Sequence, residues 1–155
     1  VTAAYVAVVG SGEASPADAV VAEAVGRGLA ARGAVVVCGG LGGVMEAACR
    51  GARGEGGLTV GLLPGPDRVA ANPYVSVAIA TGLGEARNAL VVRAADVLVA
   101  VGGSWGTLSE IALAVRTGKR VIGVGTWSLA RAGGEPVEGI EPAADAAAAV
   151  ELALG

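Results

Sequence analysis

Histidine and phenylalanine are absent from this 155-residue chain, lysine occurs once, and there are only two cysteines. Each shortage excludes a chemistry. Without histidine, proton transfer at neutral pH falls to carboxylates, to arginine-held water or to the substrate itself. Zinc loses its main nitrogen ligand and Cys38 and Cys49 make no CxxC motif, so no metal site is expected and the two thiols read as reduced and buried. The lone lysine, Lys119 in "RTGKRV", stands between a helix end and a strand start, where it complements a helix C-terminus. That setting argues against pyridoxal phosphate. No glycine loop runs into Lys-Ser or Lys-Thr, as a triphosphate site of the Walker type requires.

Charge is scarce as well, at 16% of residues against roughly 25% in an average soluble domain. The net charge of −3 comes with scattered arginines and no basic stripe, so a general nucleic-acid partner is not expected. No apolar run reaches the ~18 residues of a membrane helix, and the first cation is Arg27, so the basic start of a secretory signal is missing. The expected setting is the cytoplasm, away from membranes.

What is abundant is Val, Ala and Gly, which suits a sheet covered on both faces. The length suits one domain over 1–155. "YVAVVG" (5–10) is an apolar strand, and 15–33 is a helix with Ser15 as N-cap, Pro16 at its first position and Gly33 as its stop. A strand over 34–40, a helix over 43–57 and a strand over 58–65 continue the alternation. Three prolines make 64–74 a loop. Strands over 75–81, 96–101 and 120–125 alternate with helices over 84–94 and about 107–117, and a last helix covers 142–154. The pattern predicts an α/β fold: a Rossmann-like three-layer sandwich with an open, mostly parallel sheet of about six strands flanked by helices. Right-handed crossovers then bring every strand-to-helix loop to one edge.

Three of those loops are rich in glycine: "GSGEAS" with Gly10, Ser11 and Gly12; "GGLGGVM" with Gly39, Gly40, Gly42, Gly43 and Met45; and "GGSWGT" with Gly102, Gly103, Ser104, Trp105, Gly106 and Thr107. Glycine lets backbone N–H groups approach an anion, and a helix N-terminus adds about half a positive charge. Convergence of all three favours a small phosphorylated ligand. NAD does not fit: Ser15 occupies the place of the third fingerprint glycine, and the second strand ends in Cys38-Gly39 where a ribose-binding carboxylate belongs. The carboxylates near the loops are Glu13, Glu46, Glu85 and Glu110, with Arg87 and Asn88 beside them. Thr107-Leu-Ser-Glu110 also reads as a capping box, which would occupy Glu110 structurally. Arg87 opens a helix, where a cation opposes the dipole unless an anion binds there.

Taken together, "GGLGGVMEA", "PGPDRVAAN", "EARNALVVRAAD" and "GGSWGTLSE" resemble the Lonely Guy (LOG) superfamily, once labelled "possible lysine decarboxylase", which includes the molybdenum cofactor carrier proteins. The resemblance covers about residues 5–125. It implies that "GGSWGTLSE" wraps a ligand phosphate, and in the phosphoribohydrolases of the group an arginine and a glutamate matching Arg87 and Glu110 cut the base from a nucleoside 5'-monophosphate. It also implies a homodimer or higher homo-oligomer. No cofactor is required, and the molybdenum pterin cofactor enters only as carried cargo in the alternative reading of a carrier or sensor. The chain departs from the family loop in three places: Val101 stands for a proline, Ser104-Trp105 is one residue longer than the usual spacer, and Asn88 stands where lysine is frequent. The longer loop is more similar to the bacterial branch near the cofactor carriers. Trp105 reads equally as a lid that stacks on a ring and as an apolar plug between subunits.

Overall fold

The computed structural model describes residues 2–155. β1 (Tyr5–Gly10), α1 (Pro16–Ala31), β2 (Val35–Cys38), α2 (Val44–Gly54), β3 (Thr59–Leu63) and β4 (Val77–Ala80) form the first half. α3 (Arg87–Ala94), β5 (Val97–Val101), α4 (Trp105–Arg116), β6 (Arg120–Val124), β7 (Ile140–Pro142) and α5 (Ala146–Leu154) form the second. The strands pair in the order β4-β3-β2-β1-β5-β6-β7, every pairing parallel. β1 lies between β2 and β5, with Val6 paired to Val36 on one side and to Val97 on the other. The chain therefore reverses its direction of build at β1.

Alternation along the strands divides the core in two. Val6, Val8, Val36, Val97, Val99 and Ile122 face Ala22, Val25 and Leu29 of α1, Ala47 and Ala48 of α2, and Ala149 of α5. The intervening residues Ala7, Val9, Val37, Leu98, Ala100 and Val121 face Val91 and Val92 of α3 and Ile111 and Ala114 of α4. Each fully buried valine contributes roughly 1.5–3 kcal/mol. This is the expected three-layer sandwich.

The start of α1 follows the sequence signals: Ser15 Oγ accepts from the Asp18 N–H at 3.1 Å, and Pro16 is the first helical residue. Lys119 likewise does what its position predicts. Its Nζ donates to the carbonyls of Val92 (2.8 Å), Arg93 (3.0 Å) and Ala95 at the end of α3, where carbonyls lack partners within the helix. Replacing Lys119 by methionine is expected to lower stability by roughly 2 kcal/mol through loss of these charge-assisted bonds. Urea unfolding of the two proteins checks it.

Three local expectations are corrected. The sheet has seven strands rather than six, because Ile140–Pro142 adds an edge strand after a helix-free crossover, and three residues ending in proline carry little periodic signal. The last helix begins at Ala146 rather than at Pro142, with Asp145 Oδ1 accepting from the Ala148 N–H at 2.8 Å. The 84–94 helix splits into a 3-10 turn, Gly84–Ala86, and α3, so Arg87 becomes the first α-helical residue.

Candidate functional site

β1 and β5 are adjacent, but the chain leaves them toward opposite halves of the sheet, and their C-terminal loops part there. A crevice at such a switch point is where open α/β sheets bind ligands. Here it is a cavity of about 250 Å³ lined by Val8, Val9, Gly10, Gly12, Gly39, Leu41, Met45, Arg87, Asn88, Ser104, Gly106, Thr107 and Glu110. Residues from all three glycine loops, from the start of α3 and from the first turns of α4 meet in it.

Glycine is required at two of these places. A Cβ on Gly39 would lie 2.6 Å from an Arg87 guanidinium nitrogen, so the arginine head packs directly on that backbone. Gly43, at φ +66°, has its Cα pressed against the loop after β1, and a Cβ there would come within 2.2 Å of the Ser11 carbonyl oxygen. As the N-cap of α2, Gly43 brings no side chain to the first-turn N–H groups. Val44 N–H donates to the Ser11 carbonyl, and the Met45 and Glu46 N–H groups, without a partner among the described residues, are left for an anion.

Arg87 reaches over the cavity from the start of α3. Its guanidinium donates to Asn88 Oδ1 and, at 3.4 Å, to the Gly39 carbonyl. Its Nε is buried and has no hydrogen-bond partner among the described residues. A buried donor on a cation left unpaired is costly, and the side chain that carries it lines the cavity.

Glu110 is buried on α4, only 7% exposed. Burial pushes its carboxyl up to about 7, and the Arg87 charge pulls it partly back. The expected alternative, a Thr107–Glu110 capping box, does not form. Trp105 and Gly106 join the helix, so α4 starts two residues earlier, Ser104 is the N-cap, and its N–H donates to Thr107 Oγ1 at 3.2 Å. Glu110 is thus placed a turn deeper, facing the cavity. Of the four candidate carboxylates it alone lines this cavity; Glu85 lies outside, in the 3-10 turn before α3.

Several expected ligand residues do not line this cavity. Ser11 accepts from Glu13 N–H through Oγ (3.0 Å) and from Val44 N–H through its carbonyl (3.0 Å). The Gly40 carbonyl accepts from Asn72 N–H at 2.9 Å. Gly42 lies close to Gly12, Gly102 to the Asp18 carboxylate, and Gly103 to Thr107. These residues shape the loops and do not line the space. Trp105 projects from the mouth, 77% exposed.

Two supporting side chains escaped the sequence reading. Asn72 is buried, and its Nδ2 donates to the Leu41 carbonyl at 2.9 Å, pinning the second glycine loop to the proline-rich segment. Its signal was present as the asparagine of "PGPDRVAAN". Trp127 donates from Nε1 to the Ser104 carbonyl at 3.2 Å; nothing in its sequence surroundings links it to a loop formed by an earlier strand. Beneath the site Cys38 and Cys49 are free and buried, their sulfur atoms 3.5 Å apart. Their shared hydrogen bond holds the Cys38 thiol well above its ordinary range and the Cys49 thiol below it.

The family model described as SLOG cluster4 matches residues 3–149. The chain belongs to the SLOG cluster4 family. An uncharacterised protein of Archaeoglobus fulgidus is 45% identical over 116 residues, 75% of this chain and 76% of that protein. Among solved structures, a molybdenum cofactor binding protein from Rippkaea orientalis superposes with a TM-score of 0.87 at 34% identity, over 97% of this chain and 95% of that one. A Moco carrier protein from Chlamydomonas reinhardtii gives 0.84 at 34% identity, over 99% and 98%. The broad superfamily expected from the four sequence stretches is thereby supported, and the two solved structures match the cofactor carriers that the expectation included. Among the described residues no helix is long and apolar enough to cross a membrane.

Proposed function

We propose that this SLOG protein binds a phosphorylated pterin-type ligand, the molybdenum cofactor, and carries it without turnover. The phosphate part of the reading rests on one observation, the Arg87 side chain that lines the switch-point cavity with its Nε buried and unpartnered. A phosphate oxygen supplies the missing acceptor, and the uncapped start of α2 adds donors to the same anion. The identity of the cargo rests on the likeness to the Rippkaea and Chlamydomonas proteins over nearly their whole length.

Protein purified without oxygen from a host that makes the cofactor tests the reading. The expected result is molybdenum by elemental mass spectrometry and a fluorescent oxidised pterin, each near one per chain. A protein that holds neither, and takes up neither when mixed with a cofactor-releasing molybdoenzyme, does not carry this cargo.

One observation favours a second reading, hydrolysis of a nucleoside 5'-monophosphate. A carboxyl titrating at about 7 beside a half-buried arginine is suited to proton transfer at neutral pH. Loss of the base leaves positive character on the ribose carbon, which an ionised Glu110 would stabilise while Arg87 holds the phosphate. Free base released from a monophosphate panel that includes N6-modified AMP, and lost in both Arg87→Ala and Glu110→Gln, would establish it.

A further inference from the structure

A second space adjoins the central cavity. Asn88 and Gly106 line the cavity and also line an outer cleft of about 520 Å³, whose remaining walls are Glu85, Ala86, Trp105 and Ser109. Trp105 is the largest side chain there and leaves most of its surface in water. It is nevertheless supported. Its ring centroid lies 5.2 Å from that of Trp127 at an interplanar angle of 40°, and Trp127 is tied to the Ser104 carbonyl and packed against the α3–α4 side of the core. An indole propped from behind and bare in front is a stacking surface whose position is set before anything binds.

The floor of the cleft is open: a Cβ added to Gly106 would meet nothing nearer than Asn88 Nδ2 at 3.9 Å. Ser109 Oγ is turned back onto the Gly106 carbonyl at 2.6 Å, which leaves Glu85 as the charged group on the rim. A carboxylate accepts but cannot donate, so it selects a partner edge rich in N–H groups.

We propose that the outer cleft is a second subsite, taking a flat fused heteroaromatic ring of the 2-amino-4-oxo type shared by pterins and guanine, stacked on Trp105 with its N–H edge toward Glu85. It rests on the reading of Arg87 as the phosphate anchor, because the shared Asn88–Gly106 lining sets the two spaces side by side, within reach of one ligand.

Trp105 lines the cleft and Trp127, the other tryptophan of the chain, stands against it, so tryptophan emission reports on this corner of the protein and its loss in Trp105→Ala isolates the cleft. Guanosine 5'-monophosphate, adenosine 5'-monophosphate and ribose 5-phosphate are titrated into the wild type, Trp105→Ala, Trp105→Phe and Glu85→Gln. The wild type is expected to bind the guanine ester about 10-fold more tightly than ribose 5-phosphate, with quenching, as base stacking on an aromatic side chain allows. Trp105→Ala should lose that advantage and Trp105→Phe should keep part of it, while Glu85→Gln should erase the preference for guanine over adenine. Equal binding of guanine ester and ribose phosphate by the wild type, or an advantage that survives in Trp105→Ala, overturns the stacking subsite. Ligand-free emission that shifts to the red on dilution overturns it too, by placing Trp105 between copies of the chain. Free 6-hydroxymethylpterin separates the two readings: if no phosphate ester binds but the pterin still quenches, the anchor at Arg87 fails and the ring subsite stands; if neither binds, both fail.

Discussion

Arg87→Ala is expected to weaken binding of a phosphate ester by about 100-fold or more, roughly 3 kcal/mol, read by calorimetric titration with ribose 5-phosphate. The size follows from the setting. The guanidinium lies on the bare backbone of Gly39, faces a cavity, and keeps a buried N–H without an acceptor. Its bond to an anion would be charge-assisted and shielded from water, which makes it stronger than a surface pair. Truncation removes that bond and leaves the phosphate partly desolvated against the protein. Arg87→Lys should recover only part of the loss, because an ammonium keeps the charge without the planar fork. An affinity changed less than threefold by Arg87→Ala would mean that the anion is held elsewhere.

Glu110→Gln is expected to stabilise the protein at pH 8 by roughly 3 kcal/mol and to have little effect at pH 4.5. Glu110 titrates at about 7 in the folded chain against an ordinary value of 4.5. Between those values the folded state holds a proton that the unfolded state has released, so stability falls as pH rises through this window and is lowest above 7. Glutamine has the same shape and no charge, so the variant should lack the slope. For a chain of this size the gain at pH 8 corresponds to a thermal midpoint about 6–12 °C higher. The same titration bears on the ligand: a Glu110 carboxylate beside a bound phosphate repels it, so wild-type affinity should weaken above pH 7 and the variant should hold its affinity. Identical pH–stability curves for the two proteins would show that Glu110 is not buried as described.

These expectations depend on one carboxylate and one arginine that are far apart in sequence, and the way each was legible differs. The positions of both could be read, Arg87 from a cation at a helix start and Glu110 from the glycine-loop resemblance. The role of Glu110 could not. The spacing from Thr107 satisfies a capping box as well as a ligand loop, and the choice depends on where α4 begins. Helix starts are set by which residues can be withdrawn from solvent or left in it. Trp105 resolves that locally by packing on Trp127, whose position in turn follows from β6 lying next to β5.

The sequence by itself determined the three layers, the parallel strands, the N-cap at Ser15, the work of Lys119 and the convergence of the glycine loops at one edge. Those features follow from local physics: the period of apolar residues, the fixed φ of proline, the missing Cβ of glycine and the one hand of the crossover. Only the tertiary structure decided which loop residues line the cavity and which brace it. It also decided that Glu110 is buried beside Arg87, that Ile140–Pro142 joins the sheet, and that the cavity shares Asn88 and Gly106 with the cleft beside Trp105. Burial, an unpaired donor and a shared cavity wall are properties of chain segments brought together across the sheet, and no window along the sequence contains both partners.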